Sequence, residues 1–286
     1  MKDLKKRTIT AIVLLAVLLP IAFFGSIPLY IVFGMLSIGA AWELERLFKQ
    51  EEKWGIVNIV LISINGLMYT GLLVFLIFKL YLWILILLAI GLAIMSVIKI
   101  IKRDLKCSNL LLTIFYPSIG FASFSYLRSL ETGLYRGGLL VVVYLFLVCV
   151  STDTAAYFIG SKFGKHKLAP KISPNKTIEG SLAGTIAALI IPTLFVFLTG
   201  TNKYLFGTEF KLWYQILLCA ILSISLSILD ETGDLFASSI KRRYNAKDYS
   251  QIFPGHGGIL DRFDSYLFVS FFLTIYVTII SVCAAL

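Results

Sequence analysis

Runs of about 20 apolar residues, long enough to cross the hydrocarbon core of a bilayer as a helix, recur along most of this 286-residue chain. Nine candidate spans follow, at 8–24, 27–42, 56–78, 80–98, 108–127, 139–160, 180–199, 212–236 and 263–285. With 58% hydrophobic residues, 15% charged and a mean hydropathy of +0.89, a water-soluble globular protein is excluded. No polar stretch between the runs is long enough for a separate soluble domain. The expected fold is all-α, a polytopic integral membrane helical bundle of about nine transmembrane helices. It forms a single domain over 1–286, with N-terminal spans in 1–138 and catalytic spans and cytoplasmic loops in 139–286. The first run follows a basic tail, as a signal peptide would. Phe23-Phe24-Gly25-Ser26 offers no convincing cleavage site, so the run reads as a span.

Lysine and arginine set the orientation, because cytoplasmic loops retain them. With the N-terminus inside and the C-terminus outside, only Lys79, Arg128, Arg136, Lys203 and Lys211 of the 26 Lys and Arg fall on the outer side. The net charge of +10 then belongs to inner loops, and without a soluble basic domain no nucleic-acid partner is expected. The four cysteines, Cys107, Cys149, Cys219 and Cys283, form no C-x-x-C pair and read as packing residues. Gly180 and Gly184 make a small-xxx-small face for close helix packing.

Acids mark where chemistry is expected. Glu43, Glu45, Glu51, Glu52 and Asp104 read as solvated interfacial charges in loops. The second half differs: Asp153 lies within an apolar span, and Asp230, Glu231 and Asp234 sit toward the inner end of another. A charge at the bilayer centre costs about 2.5–3.5 kcal/mol on insertion scales, so such acids imply a cation, a basic partner or a water-filled cavity. Asp230, Asp234, Ser238 and Lys241 share one helical stripe, which also suits a salt-bridge ladder where a helix leaves the membrane.

The stretch that follows is dense in polar chemistry: Lys241-Arg242, then Lys247-Asp248, then Pro254-Gly255-His256-Gly257-Gly258-Ile259-Leu260-Asp261-Arg262-Phe263-Asp264. Lys241, Arg242, Lys247, His256 and Arg262 are suited to neutralise a polyphosphate, while Gly255, Gly257 and Gly258 let backbone N–H groups approach phosphate oxygens. Asp261 and Asp264, three residues apart where the last helix begins, suit a hard divalent cation such as Mg²⁺. A second basic loop, Lys162 to Lys176, contains Lys171 and Lys176. It leads through Ser173-Pro174 into a helix whose N-terminus can face an anion. Anionic lipid headgroups would suit this loop equally. No Walker A sequence occurs.

At these residues the sequence resembles the phosphatidate cytidylyltransferase (CDP-diacylglycerol synthase) family. Its pattern S-x-x-K-R, then K-D, then P-x-H-G-G-x-x-D-R-x-D is met from Ser238 through Asp264. Asp153-Thr154-Ala155-Ala156-Tyr157 with Gly160, and Ser173 through Gly180, also look like family segments, so the likeness covers about 150–265. It departs from the pattern at Asp230 and Glu231, where uncharged residues are expected, and at Ala237, where an acid is common. The resemblance implies that CTP and phosphatidate give CDP-diacylglycerol and pyrophosphate in the inner or plasma membrane, with the active site facing the cytoplasm. It also implies Mg²⁺, K⁺ as a second ion, and a homodimer. Asp234, Asp261 and Asp264 become the metal ligands. Asp234, Asp261, Lys241, Arg242 and His256 become the catalytic groups. Ser238, Lys247, Arg262, Gly257, Gly258, Lys171 and Lys176 become the phosphate-binding set, and Asp153 and Asp230 are further candidates for the acidic floor.

Two rival readings share these residues. A CTP-dependent polyprenol or dolichol kinase would need a general base for its alcohol, which His256 or an Asp would supply. A cation or proton transporter would use Asp153, Asp230, Glu231 and Asp234 as a pathway, leaving the H-G-G and K-R elements without a role.

Overall fold

The computed structural model describes residues 16, 20–23, 25–49, 55–78, 105–130, 137–206 and 211–283. They form α1 (Ser26–Lys49), α2 (Ile56–Ile77), α3 (Leu105–Ser129), α4 (Gly137–Phe163), β1 (Lys167–Ala169), β2 (Ser173–Thr177), α5 (Ile178–Thr199), α6 (Asn202–Phe206), α7 (Leu212–Arg243) and α8 (Leu260–Cys283). The class is all-α, as expected. Among the described residues seven helices are long and apolar enough to cross a membrane. They coincide with seven of the nine expected spans; the span at 80–98, and most of that at 8–24, lie outside the described residues.

The chain divides into two compact units, Met1–Ser129 with Tyr244–Phe263, and Leu130–Arg243 with Asp264–Leu286. In the first, α1, α2 and α3 pack on one another. Pro117 lies inside α3 and has no N–H to give the carbonyl four residues back. That carbonyl, Thr113 O, instead accepts from Asn65 Nδ2 at 3.0 Å, and Asn65 also reaches Ile114 O at 2.8 Å. Hydrogen bonding inside the protein of this kind is what an interrupted helix requires in lipid. Phe33 stands edge-on to Phe124, with ring centroids 4.9 Å apart, in the apolar core of this unit.

Two expectations are corrected here. Glu43 and Glu45 are not solvated loop charges: α1 runs on to Lys49, and both carboxylates are buried, 0% and 5% exposed. Glu45 accepts from Asn58 Nδ2 at 2.5 Å and Thr113 Oγ1 at 2.8 Å, tying α1 to α2 and α3. The helical period explains the placement, since Glu43 falls one turn from buried Ala40 and from buried Leu47. Glu51, Glu52 and Asp104 lie outside the described residues.

In the second unit α4 packs most extensively on α5, and α7 lies against both. The pattern along α5 shows why. Gly180, Gly184, Ala188, Pro192 and Val196 are buried, while Leu182, Ile186, Ile190, Leu194 and Leu198 are exposed. The two sets are offset by two residues, about 200° around the helix, so small residues meet α4 and branched ones meet lipid. A Cβ on Gly180 would stand 2.7 Å from Ala156 O, and one on Gly184 2.8 Å from Thr152 O. Polar rungs cross the apolar layer below: the Tyr144 hydroxyl lies 2.9 Å from Ser223 Oγ, and Thr152 donates to Ser227 Oγ at 2.9 Å. Cys149 and Cys219 are buried free thiols, as packing residues should be.

Close backbone approach at Gly184 makes it intolerant of bulk. Gly184→Leu should destabilise the protein by about 1–3 kcal/mol through overpacking, read as a lowered melting temperature in detergent, whereas Leu194→Ile on the exposed flank should melt as wild type.

Candidate active site

The second basic loop is not an irregular loop leading into a helix at Ser173-Pro174. It is a two-stranded antiparallel hairpin, in which Lys167 pairs with Thr177 and Ala169 with Ser173. The helix starts later, with Thr177 as its N-cap accepting from Gly180 N at 3.2 Å. Glu179, in its first turn, folds back to accept from the backbone N–H of Lys165 at 3.1 Å and pairs with the His166 ring at 2.6 Å. These contacts fix the hairpin to the start of α5. Lys176, on β2, is thereby carried inward, while Lys171 at the tip is exposed.

Lys176 meets α7 there. Its Nζ lies 2.6 Å from Asp234 Oδ2, and the pair is mostly buried, 22% and 30% exposed. Burial, the largest influence, lowers the Lys176 pKa. The charge and hydrogen bond of Asp234, with the charges of Asp153 and Glu231, outweigh it and hold the pKa above its ordinary 10.5. Ser238 Oγ lies one turn on and donates to Asp234 Oδ1 at 3.4 Å. Lys241 is buried at the end of α7, and exposed Arg242 reaches back to Ile172 O at 3.3 Å. The stripe of Asp230, Asp234, Ser238 and Lys241 is thus a real helical feature, and it bonds to the hairpin as well as to itself.

Below Asp234 the donors run short. Ser181 Oγ donates to Glu231 Oε2, but Glu231 Oε1 has no hydrogen-bond partner. Asp230 is 0% exposed with neither carboxylate oxygen conventionally hydrogen-bonded, its polar neighbour being the Cys149 thiol. Asp153 and Asp264 lie within electrostatic range of Asp230. A cavity of about 600 Å³ opens beside this group, lined among others by Asp153, Tyr157, Lys167, Lys176, Ser181 and Glu231. Its lining sets the cations Lys167 and Lys176 beside exposed Asp153 and buried Glu231, a mixture suited to a cation and an anion held together.

The signature loop belongs to the first unit. Tyr249 N and Gly258 N both donate to Asp261 Oδ2, at 2.8 and 2.9 Å, so this carboxylate closes the loop on itself. Glu43 makes a second closure: its oxygens accept from Ser250 Oγ at 2.5 Å, Ile259 N at 2.7 Å and Leu260 N at 2.9 Å. Each buried donor left unmet would cost about 1–3 kcal/mol. Gly257 has φ +83°, a backbone that favours glycine, and a Cβ there would stand 2.8 Å from Asp261 Oδ2. The Gly258 proton is committed within the loop. Arg262 Nε donates to His256 O at 2.7 Å and leaves its exposed side chain at the loop's edge. Lys247 lines a separate recess of about 690 Å³ together with Arg46 of α1. Asp264 follows Asp261 by one turn on α8.

Within the second unit the structure gathers Lys176, Asp234 and Ser238, and within the first it gathers Gly258 and Asp261. Among the described residues no three His, Cys, Asp or Glu side chains stand together as a ready metal cage. Mg²⁺ characteristically takes one or two carboxylates plus substrate phosphates, so a smaller protein set is no obstacle. Glu43, expected as a solvated loop charge, has no part in the site read from the sequence; its place on the buried stripe of α1 is the signal that locates it.

Apolar helices long enough to cross a membrane, buried acids and a cavity lined by Lys167 and Lys176 define an integral membrane protein with a charged site. The chain belongs to the Cytidylyltransferase family, whose pattern it matches over residues 5–280. It is 36% identical over 277 residues to the phosphatidate cytidylyltransferase of Staphylococcus haemolyticus, covering 93% of this chain and 96% of that one. To that of Staphylococcus aureus it is 35% identical over 277 residues, with the same coverage, 93% and 96%. To that of Bacillus subtilis it is 33% identical over 287 residues, covering 96% and 97%.

The raised Lys176 pKa has a signed consequence. The stabilisation is fully present below pH 10.5 and is lost as pH rises through the higher folded value. Melting curves in detergent should show wild type losing stability above pH 10.5, and Lys176→Met should lack that alkaline component.

Proposed function

We propose that this chain transfers the CMP moiety of CTP to phosphatidate, giving CDP-diacylglycerol and pyrophosphate for phospholipid synthesis. The observation that carries the reading is identity of 33–36% over 93–96% of the chain to proteins named phosphatidate cytidylyltransferase. The signature from Ser238 through Asp264 supports it residue by residue.

The chemistry needs no covalent nucleophile. A phosphate oxygen of phosphatidate attacks the α-phosphorus of CTP, the new P–O bond forms, and the bond to the bridging oxygen breaks as pyrophosphate leaves with its electron pair. Positioning and charge neutralisation supply the acceleration. Lys241, Arg242, Lys247, His256 and Arg262 steady the substrate phosphates and the leaving pyrophosphate, with Lys171, Lys176 and Gly257 assisting; Gly258, expected in the same set, instead gives its N–H to Asp261. Ser238 donates a hydrogen bond and keeps Asp234 oriented.

Buried Asp230 oxygens without hydrogen bonds, near Asp153 and Asp264, are the donor chemistry a hard divalent cation takes. Mg²⁺ takes one or two such carboxylates together with substrate phosphates. Asp234, Asp261 and Asp264 are its proposed ligands, K⁺ is a second ion, and Asp153 and Asp230 extend the acidic floor. When bound, the ion neutralises charge on the CTP phosphates.

The finer membrane arrangement belongs to the same proposal: one integral membrane domain of nine spans, N-terminus inside and C-terminus outside, in the cell membrane. The site faces the cytoplasm, where CTP is, and the protein acts as a homodimer. The distribution of Lys and Arg supports this orientation.

Pyrophosphate release by purified protein should require CTP, phosphatidate and Mg²⁺ together, with a CDP-lipid appearing in step. CDP formation with a polyprenol instead would replace this reading by the lipid kinase, and ion flux without turnover by the transporter. Asp264→Asn should lower kcat/KM by about 10³-fold with melting unchanged. Lys203→Ala should leave turnover as wild type.

A further inference from the structure

Glu43 stands on α1, far in sequence from the signature, yet its carboxylate is placed at the neck of the signature loop. It accepts from Ser250 Oγ on the loop's entering strand of chain and from Ile259 and Leu260 N–H on its leaving side. Asp261 bridges the neighbouring positions in the same way, from Tyr249 N to Gly258 N. Two carboxylates therefore clasp one neck side by side, and the loop they close carries His256 and ends in Asp261 and Arg262.

The Glu43 clasp also sits at the start of α8, where two backbone N–H groups lack helical partners and the helix dipole favours negative charge. That helix end is filled from within the protein. The fit is exclusive: a Cβ on Gly258 would overlap Glu43 Oε1, so only glycine lets the carboxylate in.

We propose that Glu43 is a positioning residue of the reaction, holding the signature loop and the first turn of α8 so that Asp261 keeps its place. It touches no substrate. The inference rests on the proposed function for its kinetic half only, since the clasp itself is independent of which lipid is used. Glu45 provides the comparison, being equally buried on the same helix, yet bonded to α2 and α3 rather than to the loop.

The test is hydrogen exchange of detergent-purified Glu43→Gln, Glu45→Gln and wild type, followed by steady-state kinetics with CTP, phosphatidate and Mg²⁺. In Glu43→Gln, exchange should rise in peptides covering 249–262 and not in α1–α3, and kcat should fall by about 10²-fold with the KM for phosphatidate unchanged. Glu45→Gln should not single out those peptides. Ser250→Ala, a milder cut of the same clasp, should move exchange in the same direction and serves where Glu43→Gln does not fold. Unchanged exchange over 249–262, or a rise spread equally through α1–α3, would overturn the proposal. A wild type that turns over no phosphatidate would instead sink the proposed function, and the exchange comparison would still decide the clasp.

Discussion

A carboxylate placed among apolar helices has to find donors, a cation or water, because the surrounding hydrocarbon offers none. Most of what is distinctive in this protein follows from how that demand is met. Asp234 draws Lys176 inward on a hairpin strand, 2.6 Å away. Glu45 collects Asn58 and Thr113 and so joins three helices. Asn65 meets the carbonyl that Pro117 leaves without a partner. Around Asp230 and Glu231 the accounting does not close within the protein, since buried oxygens remain without hydrogen bonds. An unclosed site of this kind is costly in a structural element and useful in one that must receive a cation.

The sequence was informative where the signal was local. Apolar runs, the i, i+4 stripe on α7, the Gly180 and Gly184 packing face and the signature motif each depend on residues a few positions apart, and each has a periodicity or spacing to read. Long-range pairings left no such trace. Nothing near Lys176 announces Asp234, 58 positions on in the numbering, and the hairpin that joins them reads as a loop in the sequence because its strands are three and five residues long. Glu43 was misplaced for a different reason. An acid near the end of an apolar run ordinarily marks the interface, and here α1 continues through it to Lys49 with its buried face unbroken.

The choice among lipid transferase, lipid kinase and transporter turns on which residues each leaves idle. Buried acids alone satisfy all three. A transporter gives no work to the basic residues after α7, nor to a glycine loop braced by Asp261. A kinase must deprotonate an alcohol, whereas a phosphate oxygen is already a nucleophile at neutral pH and needs orientation more than a base. His256 or an Asp would serve a kinase as that base, so the acids do not separate the two cases, and it is family membership that favours the second.

The glycines of the H-G-G element show how one motif can satisfy two demands. From the sequence, Gly257 and Gly258 look like a backbone cradle for phosphate. In the structure, side chains are excluded at both positions by carboxylates: Asp261 packs against Gly257, and Glu43 against Gly258. Glycine would be required here even if no phosphate ever approached, because two acids converge on the neck of one loop. The acids in turn need that loop's N–H groups to be stable in a buried setting. Motif and clasp are therefore one device: the glycines admit the carboxylates, the carboxylates fix the loop, and the loop sets where Asp261 begins α8.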